Sequence, residues 1–474
     1  MYSKTFLLIF FLCLIKVMNQ QKLDTERIDF LTKECKFDQT LEKSISSYKP
    51  IIEYIMAVIT SKPVSEGFYG LYTMFIDKFG PRPAGSKILE DAIDYMKDLT
   101  HTSGIHNVTT ENVLIPHWHR EYESVKMLHP LMKTIKVLGI GLSVSTPSEG
   151  IIADVIVVNS FDEFDEIDDT KILGKIVLFN AKFTSYSETV QYRTDSAVRA
   201  AKKGAVAVLI RSITPFSLYT PHTGALMYNA YVQKIPAAAV TLEDADLIQR
   251  LYDEGEKIVI EMFMFNTLNS EISRNTIIDL QGVKQPEKLV IVSGHMDSWD
   301  VGQGAIDDGG GMMISWFVPV ILKYLGLEHR RTIRSILWTS EEPGLVGGRA
   351  YLHKHYDELH NIDFILESDE GTFKPLGLKV AGSNRTKCII AKIMELFPPI
   401  DKVQFVDITG SELSLFIDKG IPGASLLNKD DQYFWYHHTD ADTLTAQNMD
   451  DVVECAAFWA AIAYVIADIE VDLS

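Results

Sequence analysis

The chain predicts an α/β fold with a mainly parallel central sheet flanked by helices, interrupted by an inserted lobe. Three observations lead there. From Asn275 onward, short apolar runs alternate with helical ones, the pattern of parallel strands covered on both faces. Residues 126–270 differ in character: short β-branched runs bounded by turns read as a separate α/β or β-rich unit. The 474 residues also exceed what one hydrophobic core usually serves, so two or more lobes are expected.

Taken in order, Lys4 precedes the run TFLLIFFLCLI and then Asn19, Gln20 and Gln21, the pattern of a signal peptide over residues 1–20. The run is too short to span a bilayer comfortably, so no membrane anchor is expected after cleavage. Residues 21–65 are mixed polar and helical, and read as a possible pro-segment. Residues 66–125 form the first part of the main domain, with a helix, a Gly80-Pro81-Arg82-Pro83-Ala84-Gly85 turn, a helix near 88–100 and a strand near 108–115. The insert, 126–270, carries the runs IIADVIVV, KIVLFN, AVAVLI, IPAAAV and KIVIEMFMF, with helices near 190–203 and 242–254. No cluster of metal ligands or nucleophiles stands out in it, so it reads as a substrate-gating or interaction module. Residues 271–474 return to the main domain as KLVIVSG then MMISWFVPVILKYL, TIRSILWTS then a helix near 345–357, DFILESDE, and GASLLN. The closing helix, near 450–468, contains Glu454 and is short for a membrane span, so it belongs to the core.

A hydrophobic content of 46% indicates a globular chain, and the formal net charge of -19 argues against a nucleic-acid surface. Metal cations and neutral or cationic substrates fit that charge. Secretory entry, extracellular or lysosomal, makes two sequons meaningful, at Asn107 and Asn384, as surface glycosylation positions. Once Cys13 leaves with the signal, Cys35, Cys388 and Cys455 allow at most one internal bridge, and Cys455 in its apolar helix reads as a buried free thiol.

The chemistry concentrates at predicted strand ends, where open α/β sheets bind ligands. In SGHMDSWDVGQGAIDDGG, His295 and Asp297 share a face, and Asp297 suits either direct ligation or holding the imidazole. Asp307 and Asp308 follow in a glycine-bearing turn that lets backbone approach an ion. The strand SILWTS runs into Glu341 and Glu342, two carboxylates that cannot both enter one apolar core: one suits a metal, the other a proton. Asp369 lies on a face with Ile365 and Glu367, nearest the strand end, and Glu367 is an alternative ligand. YFWYHHTDADT supplies His437, His438 and Asp442. Imidazoles with carboxylates and no cysteine suit zinc rather than a thiolate centre, calcium or magnesium. Two histidines and three carboxylates, one bridging, make a two-metal centre with room for water, and leave one Glu as general base.

The order His-x-Asp, Gly-Ala-x-Asp-Asp-Gly, Glu-Glu, Asp and His-Thr-x-x-Asp-Thr resembles the co-catalytic dizinc aminopeptidase and carboxypeptidase family, over about 67–125 and 270–474. The resemblance implies a phosphorylase/hydrolase-like fold, with the insert similar to a protease-associated lobe. It also implies two Zn2+ per chain: Asp307 bridging, His295 and Asp369 on one ion, Glu342 and His438 on the other. Glu341 would be the general base, His438 is preferred to His437, Asp297 would orient His295 with Asp442 also in support, and the Asp307–Asp308 peptide would be cis. A homodimer is a further implication. In many relatives Gly-Ser-Asp-His precedes the last strand; here Gly410-Ser411-Glu412-Leu413 stands there, so no substrate role transfers.

The activity this implies is hydrolysis of dipeptides and small peptides with unblocked termini, as a carboxypeptidase or dipeptidase. An aminopeptidase is the nearest rival, because the metal core sets the hydrolysis and not which terminus is read. A one-zinc glutaminyl cyclase-like acyl transferase and a metal-free receptor domain are rivals of other classes; the full bridging set with Glu341 beside Glu342 disfavours both.

Overall fold

The computed structural model describes residues 30, 33–407 and 411–474, so the expected signal peptide lies outside it. Fourteen strands form one mixed sheet: β1 (Val108–His129), β2 (Lys133–Ile135), β3 (Val137–Gly139), β4 (Ile151–Val158), β5 (Ile176–Phe179), β6 (Ala207–Arg211), β7 (Ala237–Val240), β8 (Val259–Leu280), β9 (Gln285–His295), β10 (Arg331–Trp338), β11 (Ile362–Glu367), β12 (Pro375–Ala381), β13 (Lys402–Phe405) and β14 (Gly423–Asn428). Their order is β13-β12-β14-β11-β9-β10-β8-β4-β5-β6-β7-β3, with β1 also pairing β8 and β2 pairing β1.

The strands that matter for the site, β10, β9, β11 and β14, are parallel neighbours. Their side chains are buried on both faces, and continuous apolar runs such as Val290-Ile291-Val292 satisfy that demand. One face is covered by the helix Gly310–Tyr324 and the closing helix Met449–Asp468, which pack on each other. Trp316 and Trp459 are fully buried there, and Trp459 Nε1 donates to Ser315 Oγ at 3.1 Å. The closing helix is buried from Cys455 through Ala467.

Two long strands of 22 residues each, β1 and β8, pair antiparallel and link this core to a second group of apolar clusters. Those clusters fill the space around the parallel strands β4, β5, β6 and β7, with Ile176, Leu178, Leu209 and Ile260 among the buried residues. The strand expected near 108–115 thus continues to His129. Apolar alternation lapses because residues 267–272 of the partner strand are exposed while the ladder runs on. The limits expected at 125/126 and 270/271 fall inside these two strands. β12, β13 and the helices Asn384–Met394 and Ser411–Ile417 are additional to the predicted alternation; β12 runs antiparallel to β14 and turns the sheet edge.

The N-terminal helices Gln39–Ser46 and Lys49–Thr60 join the main core through Ile45, Ile52, Ile55 and Ile59, all buried. Cys35 is bonded to Cys388, fastening this segment to the helix Asn384–Met394, a linkage that oxidising compartments permit. Cys455 is free and buried, and Asn107 and Asn384 are exposed. Cys35→Ser, compared with the parent protein by denaturant unfolding, is expected to lower stability by about 2–4 kcal/mol; an unchanged midpoint would show that the N-terminal helices hold by apolar packing alone.

Candidate metal centre

His295 is the last residue of β9, Glu341 and Glu342 follow β10, Asp369 follows β11, and His437 and His438 follow β14 by way of the short helix Tyr433–Tyr436. Adjacent parallel strands therefore deliver all of them to the carboxyl edge of the sheet. Asp307 and Asp308 come from the turn entering the helix Gly310–Tyr324, and the peptide between them is cis.

Asp307 stands in the middle. Its Oδ1 lies 3.2 Å from His295 Nε2, and its Oδ2 lies 3.1 Å from His438 Nε2. Asp369 Oδ1 is 3.0 Å from His295 Nε2, and Glu342 Oε2 is 3.1 Å from His438 Nε2. Donor atoms about 3.3 Å apart are what a tetrahedral ion with bonds of about 2.0–2.1 Å requires. Asp307 Oδ2 and Glu342 Oε1 are buried without a hydrogen-bond partner, leaving unsatisfied acceptors at that position. The donor set therefore fits two divalent cations sharing Asp307.

Support for these groups comes from several directions. Asp442 accepts hydrogen bonds from the backbone N–H groups of Ala305, Ile306 and Asp307, which sets the bridging turn. Asp308 spends both oxygens on backbone, accepting from His295 N at 3.0 Å and Gly311 N at 3.1 Å. Gly311 is required there, because a Cβ would sit 2.3 Å from Asp308 Oδ1 and 2.0 Å from the Ser368 carbonyl. Asp297 meets His295 through its backbone rather than its side chain. The group touching His295 Nδ1 is the Asp297 carbonyl, at 2.9 Å, with the carboxylate 3.8 Å away. That carboxylate instead accepts from the N–H groups of Glu341 and Glu342, holding the turn that presents both acids. Glu367, the alternative to Asp369, accepts from Ser411 Oγ and the Leu413 N–H.

His437 Nε2 is 3.7 Å from Asp307 Oδ2, farther than His438, and its ring stacks on that of His438 at 3.5 Å. The His438 Nδ1–H donates to the Thr223 carbonyl at 3.2 Å, leaving Nε2 free for an ion. Thr223 belongs to the 126–270 stretch, as do His222, whose Nδ1–H donates to the His437 carbonyl at 2.8 Å, and Tyr186 and Arg193, which line the cleft. Sequence reasoning missed all four. No spacing rule links positions such as Thr223 and His438, 215 residues apart.

The electrostatics match an ion-binding cluster. Burial opposes charge on His438, but Glu342 and Asp307 outweigh it and push this imidazole up to about 9. His295 is likewise raised well above the histidine range, against burial, by Asp369 and Asp307. Burial raises Glu342 to about 7 and takes Glu341 well above the carboxylate range. Asp307 is held well below that range, against burial, by the imidazoles of His295 and His438 beside it. Glu341 makes no side-chain hydrogen bond among the described residues and faces a cleft of about 220 Å³.

Residues 275–463 match the family described as peptidase family M28. The chain is 44% identical to carboxypeptidase Q of Xenopus laevis and 43% identical to that of Homo sapiens, each over 91% of this chain and 92% of the relative. Among solved structures, a peptidase M28 precursor from Shewanella amazonensis superposes with a TM-score of 0.86 at 29% identity, covering 91% of this chain and 99% of the other. BSAP, a zinc aminopeptidase from Bacillus subtilis, shares the fold at a TM-score of 0.67 and 20% identity, covering 86% of this chain and 97% of the other.

An ion entering this cluster must displace protons. Below about 9 His438 holds one, below about 7 Glu342 holds another, and His295, raised well above the histidine range, holds a third, so affinity rises with pH through neutrality. Zinc competed against a chelator is expected to bind at least about tenfold more tightly at pH 7 than at pH 6; a flat profile would contradict the assignment of these ligands.

Proposed function

The chain belongs to peptidase family M28, and from that premise we propose that it is a dizinc exopeptidase of the secretory pathway, cleaving dipeptides and small peptides with unblocked ends. The observation that carries this reading is the position of Asp307, one carboxylate facing through one oxygen His295, which Asp369 also meets, and through the other His438, which Glu342 also meets. The likeness to carboxypeptidase Q favours carboxypeptidase or dipeptidase polarity.

His295, Asp307 and Asp369 would hold one ion, and Asp307, Glu342 and His438 the other. Zinc so bound supplies polarisation of the scissile carbonyl and a more acidic water. The remaining work falls to the chain itself. Glu341 has its backbone fixed by Asp297 at 3.0 Å and its carboxylate free in the cleft, with a proton affinity raised by burial. It takes a proton from the attacking water and delivers it to the leaving amine. Tyr186, Tyr433 and Phe434 line the cleft beside it.

The test is hydrolysis of unmodified dipeptides by the purified protein, abolished by chelation and restored by zinc. Absence of hydrolysis in the zinc-loaded protein would sink the reading. Glu341→Gln is expected to lower kcat by about 10²–10⁴-fold with zinc content unchanged, as removal of a general base does. If its rate stays at the parental value, Glu341 is not the base.

A further inference from the structure

His437 stands beside the metal centre with its ring uncommitted. The residue is only 5% exposed, and it lines the cleft that Glu341 also lines. The other two histidines of the centre spend their ring nitrogens. His295 meets the Asp297 carbonyl through Nδ1 and Asp307 and Asp369 through Nε2, and His438 meets the Thr223 carbonyl through Nδ1 and Asp307 and Glu342 through Nε2. Among the described residues neither ring nitrogen of His437 has a hydrogen-bond partner, and its Nε2 stands 3.7 Å from Asp307 Oδ2. A buried imidazole that faces a cleft in this way is completed by what enters the cleft.

The ring is also held in place from several sides. The His437 backbone N–H donates to the Tyr433 carbonyl at 3.0 Å, and its carbonyl accepts from His222 Nδ1 at 2.8 Å. The imidazole stacks on that of His438 with centroids 3.5 Å apart and planes 19° apart, while Tyr186 and Phe434 meet it edge-on at 5.2 and 5.4 Å. Asp307, His437 and His438 are close enough together to share an ion, but the stack argues against it. An ion binds in the plane of an imidazole, along its lone pair, so one lying in the plane of His438 is off the plane of His437. The 3.7 Å from Asp307 Oδ2 also exceeds the roughly 3.3 Å that two donors on one tetrahedral ion require.

We propose that His437 donates a hydrogen bond from Nε2 to the oxygen of the scissile carbonyl as that oxygen gains charge, and is thus a second catalytic residue beside Glu341. The inference rests on the exopeptidase reading above. A donor whose backbone and ring are already fixed needs no reorientation when charge develops, which is where such groups act most strongly. No proton changes owner at His437. As water attacks, the carbonyl oxygen takes up the charge while Glu341 takes the water's proton; when the carbonyl re-forms, the amine leaves with that proton and the hydrogen bond weakens again. The carbonyl of a bound peptide carries little charge, so the loss of this donor falls on kcat more than on KM.

The experiment compares the zinc-loaded parent with His437→Phe and His437→Gln. The phenyl ring keeps the stack and has no donor, whereas the Gln amide reaches about as far as Nε2 and restores one. Zinc per chain, kcat and KM on a dipeptide, and calorimetric binding of a phosphinic dipeptide analogue and of a product amino acid are measured for each. The phosphinic group carries a charged oxygen on a tetrahedral centre. His437→Phe is expected to lose about 10²–10³-fold in kcat with KM little changed, to bind the phosphinic analogue more weakly by a similar factor, and to keep its zinc and its amino acid binding. His437→Gln is expected to recover at least about tenfold of the loss. Loss of zinc would make His437 a ligand and overturn the inference; so would parental affinity for the phosphinic analogue, or a loss confined to KM. If His437→Phe fails to fold, His437→Asn, whose amide falls short of the Nε2 position, takes its place with the same readings. A parent that hydrolyses no dipeptide tells against the exopeptidase reading, and the phosphinic analogue still decides His437: weaker binding by the variant supports the inference, and equal binding, or none by either protein, overturns it.

Discussion

One carboxylate with two obligations governs this site. Asp307 must hold one oxygen toward His295 and the other toward His438, and both histidines arrive from different strands. Such a group is buried and charged, so it persists only if its backbone is fixed from outside. Asp442 does this by accepting the N–H groups of residues 305, 306 and 307. Beneath it, Arg82 binds the carbonyls of Gln303 and Gly304, and the Tyr72 hydroxyl donates to the Ala305 carbonyl at 2.8 Å. The Gly-Pro-Arg-Pro-Ala-Gly turn and the helix Lys62–Phe79 thereby serve the centre without contributing a ligand to it.

The 126–270 stretch reaches the same centre through backbone. His222 and Thr223 bind along residues 437 and 438, with Thr223 N donating to the His438 carbonyl at 3.1 Å and the Thr223 carbonyl accepting from His438 Nδ1 at 3.2 Å. His438 itself adopts a left-handed backbone, φ 62°, a conformation that a non-glycine residue keeps only when its neighbours enforce it. The long β1–β8 ribbon carries the register between the two halves of the chain, so displacement of the inserted strands would be felt at His438.

Much of this was legible in the residues. Parallel strands show as unbroken apolar runs because both faces are covered, and the candidate ligands stand at their ends because that is where loops are free to carry polar groups. His295, Asp307, Glu342, Asp369 and His438 were therefore visible as candidates. What stayed hidden has physical causes. Asp297 works through its carbonyl on one side and its carboxylate on the other, and sequence does not say which atom faces a histidine. Tyr186, Arg193, His222 and Thr223 reach the centre only by tertiary packing. β12 and β13 close a sheet edge, where pairing depends on topology more than on apolar pattern.

Anomalous scattering at the zinc edge from crystals of the zinc-loaded protein measures most directly whether Asp307 bridges two ions. A bridging Asp307 predicts two peaks about 3.5–4 Å apart, one between His295 and Asp369 and the other between Glu342 and His438, with Asp307 between them. A single peak at full zinc loading, or a second one away from His438, would contradict it.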